Sequence, residues 1–549
     1  MKDIISYLND FYKLENKEII MVRISKLPSF LLLFLVSCNS LFFQNESNKN
    51  KDKNPANTST PQFQNEMIST TQKYEFPVLP NFLANINSIT TISSEFFVTT
   101  NGSENGDGSM NNPWDLDSAL LGHKEVGPGD ILWVRGGTYH PVKEPSKYNI
   151  KISGSEDNPV VIRAYPGERV TIDGGIQIYN PNVVFWGFEV FSSDKNNRIS
   201  EESGSHPSDL NRPGGIGIFN KNIALINNVV HDGEFGISAQ ILSENAVIYG
   251  NLVYNNGWEG PDRGHGHGLY AQNELEKKYI MENIILNNFG GYSYHIYRED
   301  GPLNNFIFYG NVSINDTFLV GGIQPASNVT LVENYTYNST MKLGYRSKFN
   351  ETVTVIKNHI WNPQSSAFEV NWWNNANIVN NYFYSNKTLS SLQFPNPVNN
   401  YNWDNNSYYS ETNLSFSLLS SNMTFNNWKK LTGFDSNSNY FSSLPDGQEI
   451  IIRPNYFEEK RGHIIIFNWS RNESVELDVS SLGLDIGDNF IIHNAQNFYD
   501  ETFEGTFDGN PISFPMNGWT VSKPIGWDNT LGENSIPDFG SFVLITAQQ

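Results

Sequence analysis

The sequence predicts an all-β chain, a coiling parallel β-solenoid followed by an antiparallel β-sandwich. Three observations carry this. An asparagine recurs at Asn228, Asn251, Asn283, Asn311, Asn334, Asn358 and Asn381, at intervals of 23, 32, 28, 23, 24 and 23 residues. Each closes one short apolar run and opens another, as in ALINNVVH, VIYGNLVY and TVIKNHIW. Two short strands about a polar bend, repeated at this period, are the mark of a solenoid. After about residue 435 the beat stops and alternation replaces it. Val475, Leu477 and Val479 share one face with Glu476 and Asp478 opposite, the period of a half-buried strand.

Asparagine suits the bend because it tolerates left-handed backbone and bonds to local main chain. Its amide can also stack on its copy in the next coil, so a ladder of asparagines is expected.

At 549 residues the chain can bury a large core. A net charge of -22 disfavours nucleic acid as a partner, since phosphate contacts need Lys and Arg. It leaves acidic glycans only a locally basic cleft. The single cysteine, Cys38, excludes an intrachain disulfide.

Cys38 closes MVRISKLPSFLLLFLVSC, a basic start with Arg23 and Lys26 before an apolar run too short to span a membrane. Leu35-Val36-Ser37-Cys38 resembles the lipobox of bacterial lipoproteins. The resemblance implies that residues 1–38 are a signal peptide, of normal proportions if translation starts at Met21. It also implies that Cys38 is diacylated, anchoring a monomer to the cell envelope, at the outer membrane or cell surface, without a spanning helix. Residues 39–85, rich in Asn, Ser, Thr, Pro, Gln and Lys, read as a disordered tether.

The folded part opens with the strand FFVTT at residues 96–100. Asp115 is then the N-cap of a short helix in LDSALL, which covers the open end of the solenoid. PGD at 128–130 and RGGTY at 135–139 mark a turn and the first coil strand. This opening, followed by NPVVIRAYPGERVTIDGG at 158–175, is similar to the start of right-handed parallel β-helix proteins of the pectate-lyase-like superfamily. The resemblance spans roughly 96–390 and implies a right-handed parallel β-helix, assigned here to 86–435. That superfamily holds polysaccharide lyases, glycoside hydrolases, epimerases and non-catalytic binders, so the fold does not fix a reaction. Residues 440–549 resemble C-terminal accessory domains of carbohydrate-active proteins, with a cap that protects the last coil from edge pairing as the alternative.

The beat stretches to 32 and 28 residues in two places, and solenoid insertions become loops on a binding face. The longer insertion holds NNGWEGPDRGHGHGLYAQN, residues 255–273. His265 and His267 are two apart, so in a strand their imidazoles share a face. Gly264, Gly266 and Gly268 allow close backbone or ligand approach. Asp262, Tyr270, His295 and Arg298 complete the candidate catalytic set. Trp258, Gln272, Tyr297, Gln324, Arg346 and Trp372 are candidate substrate contacts. The GHGHG strand resembles one in a family of bacterial β-helix proteins of undefined activity. Its GHG is also similar to that of polygalacturonases, whose NTD triplet and adjacent Asp pair are absent here.

The expected partner is a polysaccharide, cleaved by a lyase or a glycoside hydrolase. Elimination on a uronate needs a cation at the carboxylate and a base at C5, for which Arg298 or Arg346 and His267, His295 or Tyr270 are available. Hydrolysis needs two carboxylates, drawn from Glu234, Asp262, Glu299 and Asp300. The alternative is a non-catalytic glycan-binding or adhesive surface protein that stacks sugars on Trp258, Trp372, Trp373 and Tyr270. No metal site is assigned; zinc at His265 and His267 with Asp262 or His295 is a lesser reading, and Ca stays open as a cofactor.

Overall fold

The computed structural model describes residues 76–83, 93–122, 124–144, 146–346, 348–393 and 400–546. The signal peptide, Cys38 and most of the 39–85 segment lie outside the described residues. The described end of that segment is not a free tether. Phe82 and Leu83 are buried against the first sheet of the solenoid, and Phe76 stacks on Tyr456 at 4.7 Å.

The chain winds as a right-handed parallel β-helix of three 12-stranded sheets. The first runs from Glu95–Val98 to Tyr401–Asp404, the second from Gly137–Tyr139 to Asn439–Phe441, and the third from Lys147–Ile150 to Ser421–Met423. Each coil visits them in that order. Inward positions stack like on like: Ile162, Phe185, Leu225, Ile248, Ile280, Phe308, Leu331 and Val355 are successive register partners in the first sheet, all fully or almost fully buried. Apolar area removed from water along this column is the main force holding the coils together.

The asparagine beat is the bend between the first and second sheets, and it forms the expected ladder. The Nδ2 of Asn228, Asn251, Asn283, Asn311, Asn334 and Asn358 each donates to the Oδ1 of the next, at 2.8–3.0 Å. Asn381 passes it on to Asn406 at 3.1 Å. Each Oδ1 also accepts the backbone N–H of the previous rung, as Asn311 does from Asn283. One expectation is corrected. The left-handed residue is the one before each rung, Asn227, Gly250, Glu282, Gly310, Glu333, Lys357, Asn380 and Asn405, with φ between 52° and 67°. The rung itself is kept for buried hydrogen bonding, where an unpaired backbone group would be expensive.

Both ends are covered by helices. Asp115 caps Leu116–Leu120 by accepting from the Ser118 N–H at 2.9 Å. At the far end Phe425–Thr432 drives Trp428 into the core, where its Nε1 donates to Asp435 at 2.8 Å. The C-terminal strands therefore do not cap the last coil. They form a five-stranded and a two-stranded antiparallel sheet that enclose their own core of Ile464, Leu477, Ile492, Phe514 and Leu544. The opposite face of the five-stranded sheet, with Ile465, Phe467 and Phe539, lies along the second solenoid sheet. Arg453 fastens it there, pairing with Glu282 at 2.6 Å and Glu333 at 3.1 Å, two of the left-handed bend residues.

Candidate functional site

The outward face of the third sheet carries the chemistry. Register makes Ser238, Tyr270, His295, Leu319, Lys342 and Glu369 successive partners across coils. The 32-residue interval inserts a loop between Leu252–Tyr254 and Leu269–Ala271, and the 28-residue interval inserts one between Tyr292–Ile296 and Leu303–Tyr309. The two insertions flank one patch of this sheet.

His267 and His295 meet there, ring centroids 4.2 Å apart and tilted by 56°. Tyr292 lies 4.6 Å from His295 and edge-on to His267 at 5.4 Å. Tyr297 stacks on His295 at 5.0 Å and Tyr270 approaches it at 5.7 Å. The Nδ1 atoms of both histidines are buried without a hydrogen-bond partner in the described residues. Burial, then the Arg263 guanidinium and His265, push the His267 imidazole down to about 4. Burial, then His267 and Arg263, push His295 down to about 2. Both are neutral at neutral pH, and His267 is the stronger proton acceptor of the two. The Tyr270 hydroxyl accepts from Gln272 Nε2 at 2.7 Å, and burial raises its pKa, which keeps it protonated.

His265 does not join this pair. Gly266 sits at φ +79°, which breaks the strand between the two histidines and removes the shared face. A side chain there would meet Gly257 and the Glu234 carbonyl, so the left-handed kink and the close approach both require glycine. His265 is instead buried against Trp258 at 5.0 Å and donates through Nε2 to the Asp262 carboxylate at 2.9 Å. This also removes the shared face on which the zinc reading rested. Trp258 is 3% exposed, and is a floor for His265 rather than a platform for sugar. Asp262 holds both His265 and, at 2.8 Å, the Arg263 guanidinium.

Arg298 is not free to neutralise a substrate. It pairs with Glu274 at 3.0 Å and Asp300 at 3.1 Å, packed beneath Gly301. Gln324 bridges the Lys348 ammonium at 2.7 Å and the Glu299 carbonyl at 3.3 Å. Arg346 is exposed beside Tyr345, 5.4 Å from its ring. Trp372 turns the corner out of the third sheet at φ +62°, edge-on to Phe349 at 5.3 Å, while Trp373 is in the core. Of the four carboxylates weighed for hydrolysis, Asp262 and Asp300 are committed to cations and Glu299 accepts from the Tyr297 hydroxyl at 3.3 Å. Glu234 lies on the preceding coil with its carbonyl against Gly266, and burial raises its pKa.

Two members of the site were missed. Tyr292 has the wrong parity for the His295 face, and a register shift between Tyr292 and Tyr294 brings it there. Arg263 was legible only as one charge in the insertion; its influence on both histidines comes from how Asp262 holds it.

Residues 96–257 match the family described as Pel9A-like, right handed beta helix region. Over 83 residues the chain is 36% identical to the pectate lyase PEL9 of Emericella nidulans, a stretch covering 15% of this chain and 19% of that relative. The chain therefore spans about a fifth of that relative's length. Among solved structures, the pectate lyase Pel9A is 15% identical over 65% of this chain and 81% of its own, with a TM-score of 0.33. A GH136 lacto-N-biosidase from Eubacterium ramulus is 13% identical over 64% and 67%, with a TM-score of 0.31.

Proposed function

We propose that the third-sheet groove cleaves a uronate-containing polysaccharide by β-elimination. A neutral imidazole of the His267–His295 pair takes the C5 proton of the uronate. The electron pair forms the C4=C5 double bond, the C4–O bond to the leaving sugar breaks, and the Tyr270 hydroxyl returns a proton to that oxygen. Arg263 is held by Asp262 at 2.8 Å on one side, but unlike Arg298 its side chain stays 57% exposed, and that face neutralises the carboxylate so that the carbanionic charge is stabilised where it develops. Arg346 and Lys348 extend the cationic side of the groove for further acidic sugars.

The carrying observation is the pair itself: two imidazoles 4.2 Å apart, both held neutral, among phenols. Hydrolysis fits less well, because three of the four carboxylates weighed for it already serve Arg263 and His265, Arg298, or Tyr297. The family match over 96–257 and the similarity to a pectate lyase support the same substrate class. The lipobox-like sequence ending at Cys38 supports a place on the bacterial cell envelope, where such a glycan is met outside the cell.

A panel of uronate and neutral polysaccharides, read for unsaturated-product absorbance and new reducing ends together, tests this. Both signals on a uronate polymer are expected. Reducing ends alone mean hydrolysis. Silence with retention on an immobilised glycan means a binder that uses the Tyr270, Tyr297 and Tyr345 row.

A further inference from the structure

The loop that carries Arg263 and His267 is tied to the C-terminal domain by one buried guanidinium. Arg198 is 1% exposed. Its Nη1 donates to the Gly257 carbonyl at 2.6 Å, at the base of the 255–268 loop, and its Nε donates to the Ile525 carbonyl at 2.9 Å. Its Nη2 pairs with Asp232, whose Oδ1 in turn accepts the Ile525 N–H at 2.7 Å. Both main-chain groups of Ile525 are thus read by an Arg198–Asp232 pair rooted in the solenoid. Two residues on, Trp527 packs edge-on against Phe289 at 5.1 Å, and the Arg198 guanidinium lies 5.0 Å over the same ring. A side chain at Gly264 would strike the Phe289 carbonyl, so that residue is the wall behind the GHGHG segment.

We propose that the C-terminal domain is a positioning element for the groove: the Ile525–Trp527 segment, acting through Arg198 and Phe289, sets the 255–268 loop and hence Arg263 and His267. This rests on the β-elimination reading only in giving Arg263 and His267 contact with substrate; the mechanical coupling stands without it. Neither Ile525 nor Trp527 lies on the third sheet, and neither is placed in contact with substrate. Their substitution leaves the His267–His295 pair chemically intact.

The test uses the full chain with Ile525→Pro, which deletes the N–H that Asp232 accepts, and Trp527→Ala, with Trp527→Phe as the conservative variant. Amide hydrogen exchange is followed by mass spectrometry, and the imidazole nitrogens of His267 and His295 by NMR. Exchange across 255–268 is expected to quicken by at least about tenfold in Ile525→Pro and Trp527→Ala, a local opening rather than a global one. Exchange in the strand Ile223–Ile226 should not change. The His267 resonance should shift, and Trp527→Phe should restore both readouts. Neither readout needs a substrate, so a failure of the elimination reading leaves this test standing. Unchanged exchange across 255–268, while residues 519–535 exchange freely, overturns the coupling. So does equal loosening of the whole solenoid in both variants.

Discussion

His267 and His295 sit on successive coils of the third sheet with their ring centroids 4.2 Å apart, although they lie 28 positions apart in sequence with three strands between them. Neither Nδ1 has a partner in the described residues, so the pair is held by packing on Tyr292 and Tyr297 rather than by a hydrogen-bond network. Buried polar atoms without partners are uncommon, and they concentrate where a ligand completes them.

The acid limb of activity follows from this. The base must be unprotonated, and the His267 imidazole is held down to about 4. The rate should stay flat from neutral pH to about pH 5 and then fall. Arg263→Gln removes a positive neighbour that disfavours the imidazolium, so the acid limb should move to higher pH in that variant. A pH–rate profile of both proteins checks the sign.

The asparagine ladder makes a stability prediction. Asn311→Ala would leave the Asn283 N–H without its partner and take the Asn311 amide from the Ile280 carbonyl in a dry column, while the Asn283 Nδ2 keeps its bond to the Ile248 carbonyl at 2.8 Å. Two buried groups deprived of these bonds, at about 1–3 kcal/mol each, predict a loss of a few kcal/mol. Denaturant unfolding should show it, together with a drop in cooperativity if the coils separate at that rung.

A second ladder, Asn256 to Asn288, ends on an acid. Asp316 accepts from the Asn288 N–H at 2.8 Å and Nδ2 at 3.0 Å, yet burial pushes its carboxyl up to about 7. The folded state then keeps a proton that the unfolded chain, near 3.8, has released. Stability therefore falls as pH rises between those values. Asp316→Asn should raise Tm, with a larger gain at pH 8 than at pH 5.

His231, on the flank of the sandwich junction, titrates with the same sense, this time as a cation. Burial works against its charge, but its bonds to Asp232 at 2.8 Å and Glu189 at 3.1 Å prevail and raise its pKa. Arg169 backs Glu189 at 2.6 Å and Arg198 backs Asp232. The stabilisation is complete below the unfolded pKa of 6.5 and is lost as pH rises through the higher folded value. Tm measured at pH 6 and pH 9 should fall in the parent and change less in His231→Gln.

The solenoid was legible because each coil repeats one physical problem. The buried bend between two sheets must satisfy the same backbone groups every time, and Asn228 through Asn381 solve it identically. The left-handed residue before each rung escaped notice because Asn, Gly, Glu and Lys share that position. The site was half legible. The two insertions marked the patch where the site is built, and Tyr270, His295 and Tyr297 fell on its face by parity, whereas His267, three residues from Tyr270, reaches it only past the kink at Gly266. Parity failed wherever the strand did. Gly266 turned His265 away, and the bulge at Ser293 brought Tyr292 in. Arg298 and Asp262 were credited with free charge that their neighbours Glu274, Asp300, Arg263 and His265 consume; only the Arg298–Glu274 pair crosses coils, and the others join residues one to three apart.

The most direct test of the central claim is to compare His267→Gln, His295→Gln and the parent on a uronate polymer, measuring turnover and glycan affinity separately. Loss of a proton-accepting group predicts a turnover about 10²–10⁴ lower for the variant that removes the base, with affinity little changed. Full turnover in both variants, or equal losses of turnover and affinity, would contradict elimination by this pair.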